Sequence, residues 1–290
     1  MDRITAFVKL TRIEHSFMLV IAVIAAELLA GHLPTARDFI LSIITPILIS
    51  MGSFAVNDYY DVETDRANKR FDRPLVNGSM TKSGAINVVM VCLVIGVFVS
   101  LSINVYAFII ALVFAVLAVL YSYRMKDIAL LGNVYIAFSM VIPFIYGSYV
   151  VSSSVDVEVI FISMIIFLAG LAREIHGMIR DYSGDKKARK SRNLLHYTGI
   201  RRASQLAFIL YIESILISLY MFFFIIPFAY NLVYIVPIVI TDAVLAYIAS
   251  GFMLQEKSKS FFSVSRNASL AVMGLALLAF LASALVYIHI

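Results

Sequence analysis

Apolar segments long enough to cross a membrane alternate with short polar segments along almost the whole chain. A helix needs about 20 apolar residues to span a bilayer, and runs of roughly 18 or more recur here. They predict nine spanning helices, near residues 15–31, 39–57, 84–102, 104–122, 129–150, 158–178, 203–225, 231–254 and 268–289. Such continuous runs differ from the alternating strands of a membrane β-barrel. The predicted fold is an all-α polytopic membrane protein with a single domain, residues 1–290.

The first apolar segment, Ser16–Ala30, also has the features of a secretory signal peptide, because it follows a charged N-terminus. Glu27 interrupts its end, and no convincing cleavage site follows. We therefore interpret it as the first membrane-spanning helix.

Composition agrees with this interpretation: 62% of the residues are hydrophobic, 14% are charged, and the mean hydropathy is +0.94. Soluble domains contain about 45–50% apolar and about 25% charged residues, so the composition argues against a soluble globular protein. Cys92 is the single cysteine, so no intramolecular disulfide is possible.

Lysine and arginine are distributed unevenly between the two faces of the predicted bundle. Nine spans place the N-terminus and the connections after helices two, four, six and eight on one face; of the 23 basic residues, only Arg37 falls on the other. Such an excess marks the cytoplasmic face. We therefore predict a multi-pass protein of the cell membrane with a cytoplasmic N-terminus. The basic sequence pI of about 9.2 then reflects topology rather than binding of nucleic acid.

A polar cluster at the end of the second apolar segment comprises Asn57, Asp58, Asp61 and Asp65. If the helix continues, the spacings of three and four residues place the carboxylates of Asp58, Asp61 and Asp65 on one face, with neighbouring Cβ atoms about 5–6 Å apart. Carboxylates that close repel each other unless a cation binds them, and divalent cations such as Mg²⁺ prefer oxygen ligands. Basic residues follow at once, namely Arg66, Lys69, Arg70 and Arg73. This mixture suits a Mg²⁺-bridged phosphate ester neutralised by arginine; the alternative is a set of solvated, mutually paired charges.

A second acidic pair, Asp181 and Asp185, repeats the i, i+4 spacing beyond the sixth apolar segment. The two acidic clusters lie in or beside the long connections 63–83 and 179–202. Long connections in compact proteins are usually functional or disordered, and these have a mixed composition that suits ordered caps over a site. We expect both clusters to face one site; the alternative for the second is a mixed-charge helix end.

Weaker candidates occur as single residues. Lys126 would either neutralise a diphosphate or serve only as a topology lysine, and Tyr121 would line a pocket or an interfacial belt. Glu213 lies within the seventh span, where ionisable groups are functional by default, although structural pairing is an equal alternative. His15 and His176 are candidates for contacts with an acceptor or a cavity, against locations without a role.

At these motifs the chain resembles the UbiA superfamily of intramembrane prenyltransferases. The first signature, N-D-x-x-D-x-x-x-D, is complete from Asn57 to Asp65. The other matching segments are Arg73-Pro74-Leu75-x-x-Gly78, Tyr121-Ser122 with Lys126, Gly132-Asn133 and Asp181-x-x-Gly184-Asp185. Gly177 and Met178 stand where the family commonly has Lys and Asp, which removes one possible metal ligand and one cation.

The resemblance implies nine helices around a central cavity, capped on the cytoplasmic side by the two long connections. It implies Mg²⁺-dependent transfer of a prenyl group from a prenyl diphosphate, such as geranylgeranyl diphosphate, to a membrane-soluble acceptor. The metal site would comprise Asn57, Asp58, Asp61, Asp65, Asp181 and Asp185, of which Asp61, Asp65, Asp181 and Asp185 are the expected catalytic residues. The expected diphosphate-binding cations are Arg66, Arg73, Lys126 and Lys186.

The sequence is compatible with two classes of acceptor and with one function of another class. The compact chain has no obvious extra element, which favours geranylgeranylglyceryl phosphate and ether lipid synthesis. The segment Arg12-Ile13-Glu14-His15-Ser16 instead resembles members that prenylate an aromatic quinone precursor. An ion-coupled secondary transporter would also use carboxylates, but transporter sites usually lie near the membrane midplane, whereas these charges crowd one face.

Overall fold

The computed structural model describes residues 2–31, 34–188, 194–254 and 259–288; the side chains of residues 181–188 and 259–260 are outside this description. The α-helices are α1 (Arg3–Thr11), α2 (Ser16–Leu29), α3 (Ala36–Ala67), α4 (Lys82–Leu101), α5 (Val105–Tyr123), α6 (Leu131–Val151), α7 (Val157–Ala188), α8 (Leu194–Phe224), α9 (Leu232–Met253) and α10 (Lys259–Ile288). Short 3-10 turns join α1 to α2 and α5 to α6. Every regular element in the described ranges is helical, which confirms the predicted all-α class.

Helices α2–α10 each coincide with one of the nine apolar segments. Eight of them, α3–α10, contain a segment long and apolar enough to cross a membrane. Helix α2 has 14 residues, and its length of about 21 Å is less than the ~30 Å of a hydrocarbon core. The described residues therefore contain eight candidate spans and one shorter helix that packs among them.

Helix α1 is the element that the apolar pattern misses. Asp2 caps its start by accepting a hydrogen bond from the backbone N–H of Thr5 at 2.7 Å. Ala6 and Leu10 are buried, whereas Ile4 is 78% exposed. The helix ends at Thr11, and the capping residue Arg12 has a φ of 46°, in the left-handed region. A short amphipathic helix has no long apolar run to reveal it, yet α1 packs on α3 and brings Arg12 to the acidic cluster.

Both acidic motifs lie on extensions of long helices. Helix α3 continues past its predicted end at residue 57 to Ala67, and α7 continues past residue 178 to Ala188. The two connections therefore differ from those predicted at 63–83 and 179–202. Residues 68–81 link α3 to α4, and α8 already begins at Leu194; residues 189–193 lie outside the described ranges. Helical continuity preserves the spacing that aligns carboxylates on one face.

Small residues let α2 approach its neighbours closely. Ala22, Ala25 and Ala26 are buried in its contacts with α3, α6 and α10. A Cβ atom on Gly147 of α6 would lie 2.6 Å from the carbonyl oxygen of Val23, so only glycine permits this approach. Small residues commonly allow such contacts between membrane helices. The packing leaves one cavity bordered by α2, α3, α5 and α6, and a second one bordered by α6–α10.

Candidate active site

The first acidic motif occupies the C-terminal part of α3. Asn57, Asp61 and Asp65 follow one another at intervals of four residues, so the three side chains project from one face of the helix. The side chains of Asp61 and Asp65 are each 15% exposed, which leaves both within reach of a ligand but largely shielded from bulk water. Asn57 lines the cavity between α2, α3, α5 and α6. The structure thus brings three predicted oxygen donors together beside that cavity.

Asp58 lies on the adjacent face of α3 and is only 2% exposed. Arg12 donates a hydrogen bond to its Oδ1, and Arg73 Nη1 donates to both carboxylate oxygens, at 3.0 and 3.1 Å. The Arg12 guanidinium also lies 4.7 Å from the ring centroid of Phe54. The two guanidiniums fasten the N-terminal segment and residues 68–81 to α3. Arg12 is absent from the predicted site residues, because its partner lies 46 residues away in sequence.

Lys126 reaches the acidic face from the 3-10 turn between α5 and α6. Its Nζ donates a hydrogen bond of 2.7 Å to Asp61 Oδ1, and the lysine side chain is only 10% exposed. Arg73 Nε lies 4.0 Å from Asp65 Oδ2. The structure therefore places two of the four predicted diphosphate-binding cations, Lys126 and Arg73, directly against the carboxylates.

Arg66 points elsewhere, toward the exposed side of α3. Its Nη1 lies 3.2 Å from Glu63 Oε2, and the two side chains are 57% and 74% exposed. Arg70 forms a similar surface pair with Asp72 at 3.1 Å, and its hydrogen bonds lower the pKa of the Asp72 carboxyl group. Exposed pairs of this kind contribute little to stability. Arg66 thus occupies a surface location in this structure.

The oxygen donors on α3 match the chemistry of Mg²⁺. Within the described ranges, no three His, Cys, Asp or Glu side chains are arranged to hold a metal ion by themselves. Mg²⁺ is usually held by one or two carboxylates together with substrate phosphates and water. Asn57, Asp61 and Asp65 therefore fit Mg²⁺ bound together with a diphosphate. The side chains of the second motif, those of Asp181, Asp185 and Lys186, lie outside the described part of the chain.

The cavity beside these donors has a volume of about 390 Å³. His15 and Asn57 give it a polar end, and the rest of its wall is mainly apolar or aromatic. Tyr121 and Tyr135 stack in the wall with ring centroids 4.6 Å apart, and Phe114 stacks on Tyr135 at 6.4 Å. A polar end beside carboxylates and an apolar interior suit an amphiphile with a charged head and a hydrocarbon tail.

The four residues predicted to contact an acceptor or cavity fall in three places. His15 and Tyr121 line the cavity just described. His176 is buried and lines the second cavity, between α6 and α10. Glu213 lies on an exposed face of α8 and lines neither of these two cavities.

Comparison with known families identifies relatives over most of the chain. The model of the UbiA prenyltransferase family matches residues 18–270. A digeranylgeranylglyceryl phosphate synthase from Archaeoglobus fulgidus is 33% identical over 278 residues, which cover 95% of this chain and 94% of the relative. A synthase of the same name from Saccharolobus solfataricus is 30% identical over 205 residues, which cover 70% of this chain and 71% of the relative.

Solved structures share the fold over nearly the entire chain. One of them concerns digeranylgeranylglyceryl phosphate synthase in membranes. It has a TM-score of 0.80 and 25% identity, and the aligned region covers 98% of this chain and 99% of the chain in that structure. A UbiA homologue from Archaeoglobus fulgidus bound to GPP and Mg²⁺ has a TM-score of 0.71 and 20% identity, with coverage of 98% and 100%. The helices that carry both acidic motifs are therefore part of a shared architecture.

Proposed function

The chain belongs to the UbiA prenyltransferase family, and from this premise we propose that it transfers a prenyl group to a glyceryl phosphate lipid. The donor is a prenyl diphosphate such as geranylgeranyl diphosphate, and the reaction requires Mg²⁺. The observation that carries the proposal is the aromatic cavity of about 390 Å³ whose polar end adjoins Asn57 and the carboxylate face of α3. The names of the relatives favour the lipid acceptor over an aromatic quinone precursor.

The carboxylate face would hold the head of the donor. Asn57, Asp61 and Asp65 are the Mg²⁺-binding residues on α3, and Asp181 and Asp185 are those proposed on α7. Mg²⁺, when bound, stabilises the negative charge that develops on the departing diphosphate. Lys126, which now donates to Asp61, adds a positive charge at the same position. Arg66 is exposed and paired with Glu63, so we assign it no contact with the diphosphate; the role of Lys186 stays a prediction.

Asp58 has a different role in this proposal. Its oxygens accept hydrogen bonds from Arg12 and Arg73, and its side chain is 2% exposed. These contacts leave it poorly placed to bind a metal ion. We assign Asp58 and its two arginines a positioning role, in which they hold residues 68–81 over the end of the cavity, and not the metal-binding role expected of Asp58 from the motif.

The cavity would receive the prenyl tail and the reacting carbon. The bond between C1 of the prenyl chain and the diphosphate oxygen breaks, and its electron pair leaves with the diphosphate. The faces of Tyr121 and Tyr135 can stabilise the allylic cation, and the apolar wall limits its capture by water. The acceptor hydroxyl oxygen then bonds to C1 and gives its proton to the released diphosphate, which completes the ether.

The reaction would take place at the cytoplasmic face of the cell membrane, because nearly all lysines and arginines fall in segments predicted for that side of the bundle. Ion-coupled transport is disfavoured by membership of a prenyltransferase family. It is also disfavoured because the charges lie at one end of the helices and not at the midplane.

The proposal is tested with purified protein, labelled geranylgeranyl diphosphate and Mg²⁺ in the presence of separate acceptors. We expect an ether product with geranylgeranylglyceryl phosphate and no product after chelation of the metal. A hydroxybenzoate serves as the aromatic acceptor. Prenylation of the hydroxybenzoate alone would show that the acceptor is an aromatic quinone precursor. Product formation without metal would contradict the proposed chemistry.

A further inference from the structure

A second cavity, of about 320 Å³, lies between α6, α7, α8, α9 and α10 and has a distinctly basic lining. Arg173 and Arg180 enter it from α7, and Arg266 enters from α10. Glu174 contributes the only carboxylate among the described lining residues, so the formal charge of the lining is +2. A net positive lining of this kind favours the binding of an anion.

Several buried polar atoms in this lining have no hydrogen-bond partner within the described part of the chain. They are Arg173 Nε, both ring nitrogens of His176, the hydroxyl oxygen of Tyr211 and Oγ of Ser265. Buried polar groups in folded proteins are nearly always hydrogen-bonded, so several such atoms around one cavity indicate a polar ligand.

His176 is held rigidly at this position. Its ring stacks on Phe252 with a centroid distance of 3.7 Å and an interplanar angle of 7°, and Tyr211 lies 5.4 Å away. The residue is only 5% exposed. His176 lines the cavity, and its two unpartnered ring nitrogens make it a candidate for a hydrogen bond to a ligand there.

The arginines that line this cavity differ in whether they have an ion-pair partner. Arg173 lies 3.7 Å from Glu174, with side-chain exposures of 23% and 25%. Arg266 has no ion-pair partner among the residues that the structure describes, although it lines the cavity from the α10 side. In the first cavity, by contrast, the guanidinium of Arg12 is paired with Asp58. Arg173 and Arg180 already have interactions within the described part of the chain, so Arg266 is the lining cation best placed to receive an added anion.

We propose that this basic cavity binds the phosphate monoester of the lipid acceptor. The inference rests on the proposed function, which makes the acceptor a glyceryl phosphate. A phosphate monoester carries about −1.5 to −2 charges at neutral pH, which complements the lining, and it offers three strong acceptor oxygens. Guanidiniums bind phosphate through paired hydrogen bonds, and Tyr211, Ser265 and His176 supply further donors.

The position of the cavity agrees with this role. Asn133 of α6 lines it, and Tyr135, two residues further along the same helix, lines the donor cavity. On α7, Met178 lines the basic cavity, and the second acidic motif begins three residues later at Asp181. Residues two apart on a helix project to opposite sides, so α6 forms a wall that the two cavities share. On α7 the axial rise from Met178 to Asp181 is about 4.5 Å, so a phosphate in the basic cavity would lie next to the second acidic motif.

The test compares wild type with Arg266→Gln, using Arg202→Gln as the matched control because Arg202 is an exposed arginine on α8 that lines neither cavity. We expect Arg266→Gln to raise KM and Kd for geranylgeranylglyceryl phosphate by about tenfold or more, the usual effect of losing a charged hydrogen bond. KM for geranylgeranyl diphosphate should stay at the wild-type value. For geranylgeranylglycerol, the acceptor without its phosphate, KM should be the same in the variant and in wild type.

Two further arms identify the source of the phosphate. Inorganic phosphate should compete with the acceptor in wild type and less in Arg266→Gln, whereas phosphatidylglycerol vesicles should not compete. Competition by phosphatidylglycerol as strong as that by the acceptor would overturn the assignment in favour of a general anionic-lipid site. Unchanged acceptor KM and Kd in Arg266→Gln, with normal transfer by wild type, would overturn this inference alone. Failure of wild type to prenylate the acceptor at all would overturn the proposed function as well.

Discussion

Replacing Asp58 by alanine separates a positioning role from a metal-binding role. The substitution removes the acceptor of three hydrogen bonds from Arg12 and Arg73. It leaves two guanidiniums that are only 19% and 17% exposed without this partner. Removing one member of a buried ion pair typically costs about 3–5 kcal/mol, because the remaining charge stays buried. We take the lower end, about 3 kcal/mol, because each arginine retains some contact with water.

The assay is thermal unfolding in detergent. The entropy of unfolding is about 2.1 cal/mol/K per residue, so 1 kcal/mol corresponds to roughly 1.6 °C for this chain of 290 residues, and Asp58→Ala should lower Tm by about 5 °C. The control is Glu63→Ala, which removes an acidic partner of Arg66 on the same helix, in a pair that is 57% and 74% exposed. Because exposed pairs contribute at most about 1 kcal/mol, Tm of this control should stay within about 2 °C of wild type.

The dependence of activity on Mg²⁺ supplies the second readout. If Asp58 positions the loop, the Mg²⁺ concentration for half-maximal activity stays at the wild-type value in Asp58→Ala, although maximal activity falls. The same concentration should rise in Asp61→Ala. An Asp58→Ala protein with wild-type Tm and a raised Mg²⁺ requirement would refute the assignment.

Three further substitutions test other parts of the site. Lys126→Met removes the cation that donates to Asp61 at 2.7 Å. We expect kcat to fall by about 100- to 1000-fold, the range observed when a group that stabilises transition-state charge is lost; an unchanged kcat would contradict this. Gly147→Ala would place a Cβ atom 2.6 Å from the carbonyl oxygen of Val23, so unfolding scans should show a loss of about 1–3 kcal/mol, whereas an unchanged Tm would refute the close approach. Ala118→Phe fills part of the donor cavity, and we expect KM for geranylgeranyl diphosphate to rise more than KM for dimethylallyl diphosphate; equal changes would place the tail elsewhere.

The fold was largely predictable because membrane helices follow from length and apolarity. Each of α2–α10 coincides with an apolar run. Helix α1 was missed because a nine-residue amphipathic helix produces no such run. The ends of α3 and α7 were placed too early, because polar residues beyond a span resemble a loop in sequence although the helix continues through them.

The candidate site was predictable in part for a similar reason. The spacing of Asn57, Asp61 and Asp65 along one helix requires only local geometry. The pairing of Asp58 with Arg12 depends on how α1 packs against α3, across 46 residues of sequence. The basic cavity likewise requires knowledge of which faces of α7 and α10 meet, so Arg266 carried no signal in the sequence beyond its positive charge.

Equilibrium binding of geranylgeranyl diphosphate to the purified protein, with and without Mg²⁺, tests the central claim most directly. The carboxylate face of α3 should bind the diphosphate only through the metal. We therefore expect tight binding with Mg²⁺, strong weakening after chelation, and loss of the Mg²⁺ effect in Asp61→Ala but not in the Glu63→Ala control. Equal affinity with and without Mg²⁺, or a wild-type Mg²⁺ effect in Asp61→Ala, would contradict the account.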